Sequence, residues 1–297
     1  MLLRAAAVAA GAQRFDRGAL YVVATPIGNL ADLTLRAIHV LAQVDAVAAE
    51  DTRVAARLLA HLTLAKPLVA LHAHNERAAA EAVCARLARG ETVAYVSDAG
   101  TPAVSDPGAR LVAVAAATGH RVVPIPGPSS ALAALSVAGD VQGAGFRCVG
   151  FLPAKGSERR AALEALATER GTVILFEAPH RVAALLDALA AAQPARPLTL
   201  ARELTKQFES VLTQPAAAWP AWLAADAQRQ RGEFVLVLHA LAPAPAAEGA
   251  ALDARAEHAL AALLPVLPLK QAVALAAELS GAPRNALYGR ALALRGA

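Results

Sequence analysis

Short apolar runs alternate with segments of helical periodicity along most of the chain, beginning near Ala19. The runs have the length of buried strands, and the segments between them repeat apolar residues every three or four positions, as amphipathic helices do. This alternation predicts a mostly parallel sheet covered by helices on both faces. The predicted strands of this first region are 19–26, 45–51, 67–74, 92–98 and 121–127, and the predicted helices are 30–44, 52–62, 75–90 and 107–118.

The pattern changes after the glycine-rich segment 139–145. Strand and helix signals still alternate up to Pro197, but beyond it strand signals dominate, which predicts a second sheet of mixed direction. A plain Ala/Pro linker follows, and then a small helical tail. The sequence therefore predicts a disordered leader at 1–18, an N-terminal α/β domain at 19–127, a C-terminal α/β domain at 128–241, the linker at 242–250 and the tail at 251–297.

Composition limits the classes of protein that fit this pattern. The 297 residues are 57% hydrophobic and 18% charged, which is enough apolar material for two cores and excludes disorder as the main state. The longest apolar runs are short and broken by proline, so we expect no membrane span. Alanine rather than leucine fills the first 18 residues, which favours a leader over a signal peptide.

Charge and cysteine content add little. The net charge of +4 permits an anionic partner such as nucleic acid but does not demonstrate one. Cys84 and Cys148 form neither a disulfide framework nor a metal-ligand spacing, so we expect no metal site and a reducing compartment, the cytoplasm.

The loops that follow the predicted strands are rich in Gly, Pro, Ser and Ala. They are 24–32, 97–108, 126–130 and 176–181. Ligands of open α/β sheets bind at the carboxyl ends of strands, and small residues let a ligand approach main-chain groups closely. Two of these loops have a structural explanation as well: Asp106 with Pro107 is expected to begin the next helix, and Ser129 or Ser130 to cap another. Neither a G-x-G-x-x-G nor a P-loop motif occurs, which disfavours those two nucleotide sites.

Several motifs together resemble the tetrapyrrole methylase fold superfamily. They include "VSDAGTPAVSDPG" at 96–108, "FEAPHR" at 176–181, "ELTKQFE" at 203–209 and "RGEFVLV" at 231–237, and the match extends from about Leu20 to the end of the chain. Within the superfamily they resemble the branch that 2′-O-methylates a cytidine of 16S rRNA. The resemblance implies two α/β domains with S-adenosylmethionine in the cleft between them, a homodimer, and the small ribosomal (30S) subunit as partner.

The resemblance also implies which residues hold the cofactor. The strand-end loops and the last strand supply them, with Thr25, Pro26 and Gly28 as a floor beside the methyl group. The implied cofactor-binding residues are Thr25, Pro26, Gly28, Asp98, Ala99, Gly100, Val104, Ser129, Ser130, Phe176, Glu177, Gly232 and Glu233.

A ribose 2′-hydroxyl is a poor nucleophile, so its methylation is helped by a nearby base or cation. The catalytic candidates are Glu50, Arg181, Glu203 and Lys206. Each has an alternative: the segment of Glu50 also provides a helix cap at Asp51, Glu203 with Lys206 fits a local ion pair, and Arg181 fits a phosphate contact. The candidates for RNA binding are Arg53, Lys155, Arg159, Arg160 and Arg202.

Other functions stay open at the level of the sequence. A methylase of a corrinoid precursor shares the fold and the donor site, and a ribosome-binding protein without catalysis is a second alternative. A nucleotide hydrolase is a third, which predicts acidic metal ligands at strand ends. The basic tail, with Lys270, Arg284 and Arg290, holds RNA, holds a second copy of the chain or merely covers the body.

Overall fold

The computed structural model describes residues 1–242, 252 and 254–295. The chain forms two units, Met1–Ala240 and Leu241–Ala297. Within the described residues, no helix has the length and apolar character needed to cross a membrane. The boundary predicted between residues 127 and 128 falls in the segment that joins the two sheets of the first unit, and it stays a prediction.

The first sheet is parallel throughout, as the alternation predicted. Its strands lie in the order β3-β2-β4-β1-β5. The elements of this half are β1 (Leu20–Val23), β2 (Ala46–Ala49), β3 (Leu68–Ala70), β4 (Val93–Val96), β5 (Val122–Ile125), α1 (Leu2–Ala10), α2 (Leu35–Gln43), α3 (Thr52–His61), α4 (Glu76–Ala88) and α5 (Ala109–Ala117), with a 3₁₀ turn at Leu30–Asp32.

Helices cover both faces of this sheet because successive strand side chains point to opposite sides. In β1, Tyr21 packs in the cluster formed with α1, α2 and α3, whereas its neighbour Leu20 packs in the cluster formed with α4 and α5. Each strand thus contributes to two cores, which explains the near-continuous apolar runs of the sequence.

The first residues differ from the expected disordered leader over 1–18. Residues Leu2–Ala10 form α1, in which Ala6 and Ala10 are buried. Ala6 belongs to the same core cluster as Ile38 of α2. Alanine is the best helix former, and its small side chain lets two helices approach closely. The alanine-rich segment therefore forms a helix that packs on α2.

The second sheet is mixed, as predicted. Its strand order is β6-β7-β10-β8-β9, with β6 and β7 parallel and the remaining pairs antiparallel. The elements are α6 (Ser130–Ala138), β6 (Phe146–Phe151), α7 (Gly156–Thr168), β7 (Thr172–Glu177), α8 (Val182–Ala192), β8 (Pro197–Arg202), β9 (Ser210–Pro215), α9 (Trp219–Ala224) and β10 (Phe234–Leu238), with 3₁₀ turns at Ala216–Ala218 and Ala227–Gln230. Trp219 anchors one core with α8, and α6 covers the other face.

The second unit is helical, as predicted for the tail. Helices α10 (Ala254–Leu263), α11 (Leu269–Ser280) and α12 (Arg284–Arg295) share a small core of their own that includes Leu260, Val273 and Leu287. An ion pair of 2.7 Å joins Arg290 of α12 to Glu257 of α10. Apart from Ala242, the predicted linker lies outside the described residues.

Two helices begin later than predicted. The helix predicted over 30–44, whose cap the sequence indicated near Asp32, is α2, and the side chain of Thr34 caps it by accepting the N–H of Ala37 at 3.1 Å. Likewise α5 begins at Ala109, after Gly108, and Asp106 does not cap it. Its N–H groups at Gly108 and Arg110 instead donate to Glu76 Oε1 of α4, at 3.0 and 3.2 Å. A carboxylate from a neighbouring helix therefore replaces the local cap.

Candidate active site

The loops after β1 and β4 are joined directly. Thr25 and Gly100 exchange both main-chain hydrogen bonds, with N···O distances of 2.9 and 3.0 Å. Gly100 adopts a φ of +82°, a left-handed conformation that favours glycine. The buried Thr25 hydroxyl donates to the carbonyl of Ser97 at 3.2 Å. These bonds hold the backbone of the 97–108 loop in place at the carboxyl ends of the parallel strands.

A cavity of about 460 Å³ lies between this loop and the second sheet, and we call it the main cavity. It unites the predicted cofactor residues of both halves of the unit. Those in its lining are Asp98, Ala99, Gly100, Val104, Ser129, Ser130, Phe176, Glu177 and Glu233. Its volume is within the range of small-molecule sites, which run from roughly 300 to 1,000 Å³.

The main cavity also contains residues that the sequence reasoning missed. They are Ile27, Thr101, Ser105, Asp106, Phe151, Ala178, Pro179, Leu204, Phe234 and Val235. Most are direct sequence neighbours of predicted residues, so the predicted motifs already indicated where in the chain these residues would be found. Phe151 had no such signal: it reaches the cavity from the end of β6, where its ring lies 5.6 Å from that of Phe176.

The remaining predicted cofactor residues lie outside the lining of the main cavity. Thr25 and Pro26 line a second cavity of about 240 Å³. Gly28 faces Lys206, whose Cγ would lie 2.5 Å from a Cβ added at that glycine. Gly232, with a φ of +96°, packs in the same way against Glu203. The two glycines therefore make room for neighbouring side chains.

The second cavity lies beside α3 and shares Asp98 with the main cavity. Its wall is largely apolar, with Arg57 as its cationic member. Its lining consists of Thr25, Pro26, Leu30, Val54, Ala55, Arg57, Leu58, Val96, Ser97 and Asp98.

Carboxylates gather at the end of the main cavity nearest α3. Burial, together with the charges of Asp106, Asp98 and Asp51, raises the pKa of Glu50. Burial also raises the pKa of Asp106. Asp98 accepts the main-chain N–H of Asp51 at 3.0 Å, which holds this group together. Among the catalytic candidates, Glu50 is the one that lines the main cavity.

Arg181 lies behind the cavity wall. Its Nε lies 3.0 Å from Oε1 of Glu177, whose side chain is fully buried, and its guanidinium donates to the carbonyl of Leu152 at 2.6 Å. Arg159 approaches the same carboxylate at 3.5 Å and donates to the carbonyl of Pro153. The two arginines thus neutralise Glu177 and connect the ends of β6 and β7.

Glu203 and Lys206 form an ion pair, as their alternative interpretation held. Lys206 Nζ lies 2.9 Å from Glu203 and 3.1 Å from Glu233. Burial opposes the charge of Glu203, but hydrogen bonds from the Glu233 N–H and from Lys206 lower its pKa overall. For Lys206, burial lowers the pKa, but the ion pairs with Glu203 and Glu233 outweigh burial and raise the pKa overall. Glu203 is therefore a weak base, and Lys206 stays cationic.

The five cationic residues predicted to bind RNA divide into three whose side chains are bonded within the protein and two at the start of α7. Arg53 is exposed but doubly bonded to Asp51, the residue that caps α3, with a closest approach of 2.6 Å. Arg202 donates to the carbonyls of Arg231, Phe208 and Gln228, so it fastens loops together. Arg159 is occupied by Glu177, whereas Lys155 and Arg160 are exposed at the start of α7.

The predicted serine cap is confirmed in this part of the molecule. Ser129 is the N-cap residue of α6, and its hydroxyl accepts the N–H of Leu132 at 3.5 Å. Among the described residues, His, Cys, Asp and Glu side chains form no group of three placed to hold a metal ion.

Two family models match the chain. The model described as Tetrapyrrole (Corrin/Porphyrin) Methylases matches residues 19–219, which contain nearly all of the main cavity. The model described as RsmI C-terminal HTH domain matches residues 250–295, the region of α10 to α12.

Curated relatives match over nearly the whole chain. Proteins named ribosomal RNA small subunit methyltransferase I are 49% identical in Xylella fastidiosa, 47% in Escherichia coli O157:H7 and 49% in Pseudomonas aeruginosa. The matches cover 92%, 95% and 94% of this chain and 98%, 97% and 98% of the relatives.

Solved structures agree on the fold. Uroporphyrin-III-C-methyltransferase from Thermus thermophilus superposes with a TM-score of 0.53 at 24% identity, covering 75% of this chain and 94% of that one. A structure of the enzyme from that organism complexed with S-adenyl homocysteine gives 0.53 at 18% identity, covering 74% and 96%.

Proposed function

The chain belongs to the ribosomal RNA small subunit methyltransferase I family of the tetrapyrrole methylases, and from this premise we propose that it methylates small-subunit rRNA with S-adenosylmethionine. The acceptor is the 2′-hydroxyl of a cytidine ribose in 16S rRNA. The observation that carries the proposal is the main cavity, in which the strand-end loops of both sheets meet around a set of carboxylates.

The chemistry of the main cavity fits this cofactor. Its lining includes the carboxylates of Glu50, Asp98, Asp106, Glu177 and Glu233, in a chain whose net charge is +4. Arginines neutralise Glu177 and Lys206 pairs with Glu233, so within the described residues Glu50, Asp98 and Asp106 supply the unpaired negative charge. A negative cavity suits a ligand that carries a sulfonium and an ammonium group, and it disfavours phosphate. When bound, S-adenosylmethionine supplies a methyl carbon activated by the positive sulfonium.

The residues of the cavity have distinct tasks in this proposal. The left-handed Gly100 and its neighbour Ala99 present main-chain groups without a bulky side chain in the way. The ring pair of Phe151 and Phe176 offers an apolar surface for the adenine. Ser129, at the start of α6, and Glu233 supply polar contacts at the rim.

Methyl transfer is an in-line displacement, so the first task of the protein is to hold the acceptor oxygen close to the methyl group. Glu50 accepts the proton of the 2′-hydroxyl, since it lines the cavity and has a raised pKa. Lys206, held near Gly28, has three N–H donors, and Glu203 and Glu233 occupy two of them, so the third is available to the oxygen on which negative charge develops. Arg181 acts as a positioning residue through Glu177.

The partners follow from the acceptor. The substrate is 16S rRNA within the 30S subunit, and the cytoplasm is the place of action. The unit of α10 to α12 and the exposed Lys155 and Arg160 extend the contact with RNA phosphates.

The active form is a homodimer. Helix α6 buries Ala131 and Ala134 against the second sheet, but it exposes Leu132 by 54% and Val137 by 56%, which suits contact with a second copy.

Methyl transfer from labelled S-adenosylmethionine tests the function directly. The acceptors are 30S subunits lacking the modification, free 16S rRNA and a tetrapyrrole precursor, and calorimetry measures cofactor binding in parallel. Label on a cytidine ribose of the 30S rRNA is the expected result. Label on the tetrapyrrole alone would show that the acceptor is a tetrapyrrole and not RNA. An absence of cofactor binding would favour a ribosome-binding protein without catalysis.

A further inference from the structure

The second cavity, beside α3, has a composition unlike that of the main cavity. Three apolar side chains, from Leu30, Val54 and Leu58, form much of its wall, and Arg57 supplies positive charge. Leu30 is 47% exposed, although a leucine of this size is usually withdrawn from water. Asp98, which the second cavity shares with the main cavity, adds one carboxylate to this lining. An apolar wall with a cation at Arg57 suits a flat, partly apolar ligand whose negative charge lies at Arg57.

We propose that the second cavity binds one unpaired nucleotide of the RNA substrate, with its base against Leu30, Val54 and Leu58 and a phosphate at Arg57. This inference rests on the proposed function and names the acceptor site of that reaction. Single-stranded RNA exposes bases that can be taken out of the stack and bound one at a time, whereas a duplex is too wide for a cavity of about 240 Å³.

Arg57 is the arginine of α3 that has its charge available. Arg53, one turn earlier, is doubly bonded to Asp51 and is thereby neutralised. Arg57 is exposed, and within the described residues its side chain donates to the carbonyl of Arg53 at 3.4 Å without a carboxylate partner. A planar guanidinium with free donors is well suited to a phosphate.

The position of the second cavity matches the geometry that methyl transfer requires. Asp98 lines both cavities, so the two cavities adjoin at that residue. Acceptor and donor atoms must approach to roughly 3–3.5 Å for the displacement. Glu50 and Asp51 lie between β2 and α3, so the proposed base and two of the three wall residues, Val54 and Leu58, belong to one continuous segment, 50–58.

Steady-state methylation of 30S subunits by R57A and L30A tests the assignment. Both side chains are exposed, so neither substitution should disturb a core. We expect each variant to raise KM for the RNA substrate by about tenfold and to leave the Kd for S-adenosylmethionine within about twofold of the wild type. The affinity for RNA falls as salt rises, and the loss of one phosphate contact makes this fall less steep. R57A should therefore reduce the magnitude of the slope of log affinity against log salt concentration by about 0.7 for an unpaired RNA strand, whereas L30A should not change it.

The matched control is R77A, which removes an exposed arginine of α4 that does not line the second cavity. R57K should recover part of the lost affinity, since it keeps the charge but not the planar fork. If the wild type methylates RNA and both R57A and L30A keep its KM, the acceptor assignment is overturned while the function stands. If the wild type binds cofactor but methylates no RNA, both are overturned.

Discussion

The ionisation of Glu50 connects stability with catalysis at a single residue. Its pKa is raised by burial and by neighbouring carboxylates, so the charged form costs the native state free energy. The protonated form is the one that the native state favours. The stability that it provides is fully present below the pKa of the unfolded state and is lost as the pH rises through the pKa of the folded state. E50Q should therefore melt roughly 1–3 °C higher than the wild type at pH 8, and this difference should vanish near pH 4.

The same variant should lose about 10²-fold in kcat while it keeps its affinity for S-adenosylmethionine, because a general base typically contributes that much. Thermal unfolding at several pH values and single-turnover methylation measure the two effects. E81Q, at an exposed carboxylate of α4, is the control. Full activity of E50Q would remove Glu50 from the reaction.

Gly108 shows how strongly one residue can depend on its surroundings. Its φ is +116°, and an added Cβ would lie 2.2 Å from the ring of the buried Tyr95, whose hydroxyl donates to the carbonyl of Pro107. G108A should cost roughly 3 kcal/mol or more in urea unfolding, since both the backbone and the ring must shift. G119A, at a φ of +82° with open space around it, should cost only about 1 kcal/mol. Equal losses would mean that the ring moves freely.

Side-chain roles were harder to predict than positions in the chain. The strand-end location of Asp98, Gly100 and Glu177 follows from periodicity and turn residues alone. The ion pair of Lys206 with Glu233, by contrast, joins residues 27 positions apart, and the left-handed φ of 52° at the neighbouring Glu203 has no signal in the sequence either. Such pairs depend on how the loops cross in three dimensions.

At the scale of elements, the start of α5 depends on α4. Glu76 Oε1 accepts N–H groups from Gly108 and Arg110, so it holds the end of the 97–108 loop that lines the main cavity. E76A should lose about 1 kcal/mol of stability, the usual value of a helix cap, and should weaken cofactor binding severalfold. Calorimetry and hydrogen exchange over 97–110 measure this, with E81A on the same helix as control. Unchanged exchange would show that the cap is dispensable.

The order of the elements was predictable, and their ends were less so. Alternating apolar runs identified the parallel sheet and the mixed sheet because buried strands and amphipathic helices differ in period. Asp106 was expected to cap α5 because an Asp-Pro pair favours a helix start, but Glu76, 32 residues before Gly108, takes that task. Likewise α1 was missed, since its stability comes from packing on α2 rather than from a strong local signal.

On the scale of the whole molecule, charge is divided by location. The main cavity contains carboxylates, while exposed cations lie on α3, at the start of α7 and in the unit of α10 to α12. This division suits a cationic cofactor in the cavity and an anionic RNA at the surface. The net charge of +4 is a sum that reveals neither the negative cavity nor the positive surface regions.

The helical unit of α10 to α12 has its own core, and the main cavity is lined by residues of the first unit. A chain ending at Ala242 should therefore fold and bind S-adenosylmethionine within about twofold of full length, whereas its KM for 30S subunits should rise by roughly tenfold or more as phosphate contacts are lost. K270E with R284E in the full chain, at two exposed cations, tests the same role without removing the unit. An unchanged KM in both proteins would mean that the first unit alone recognises the RNA.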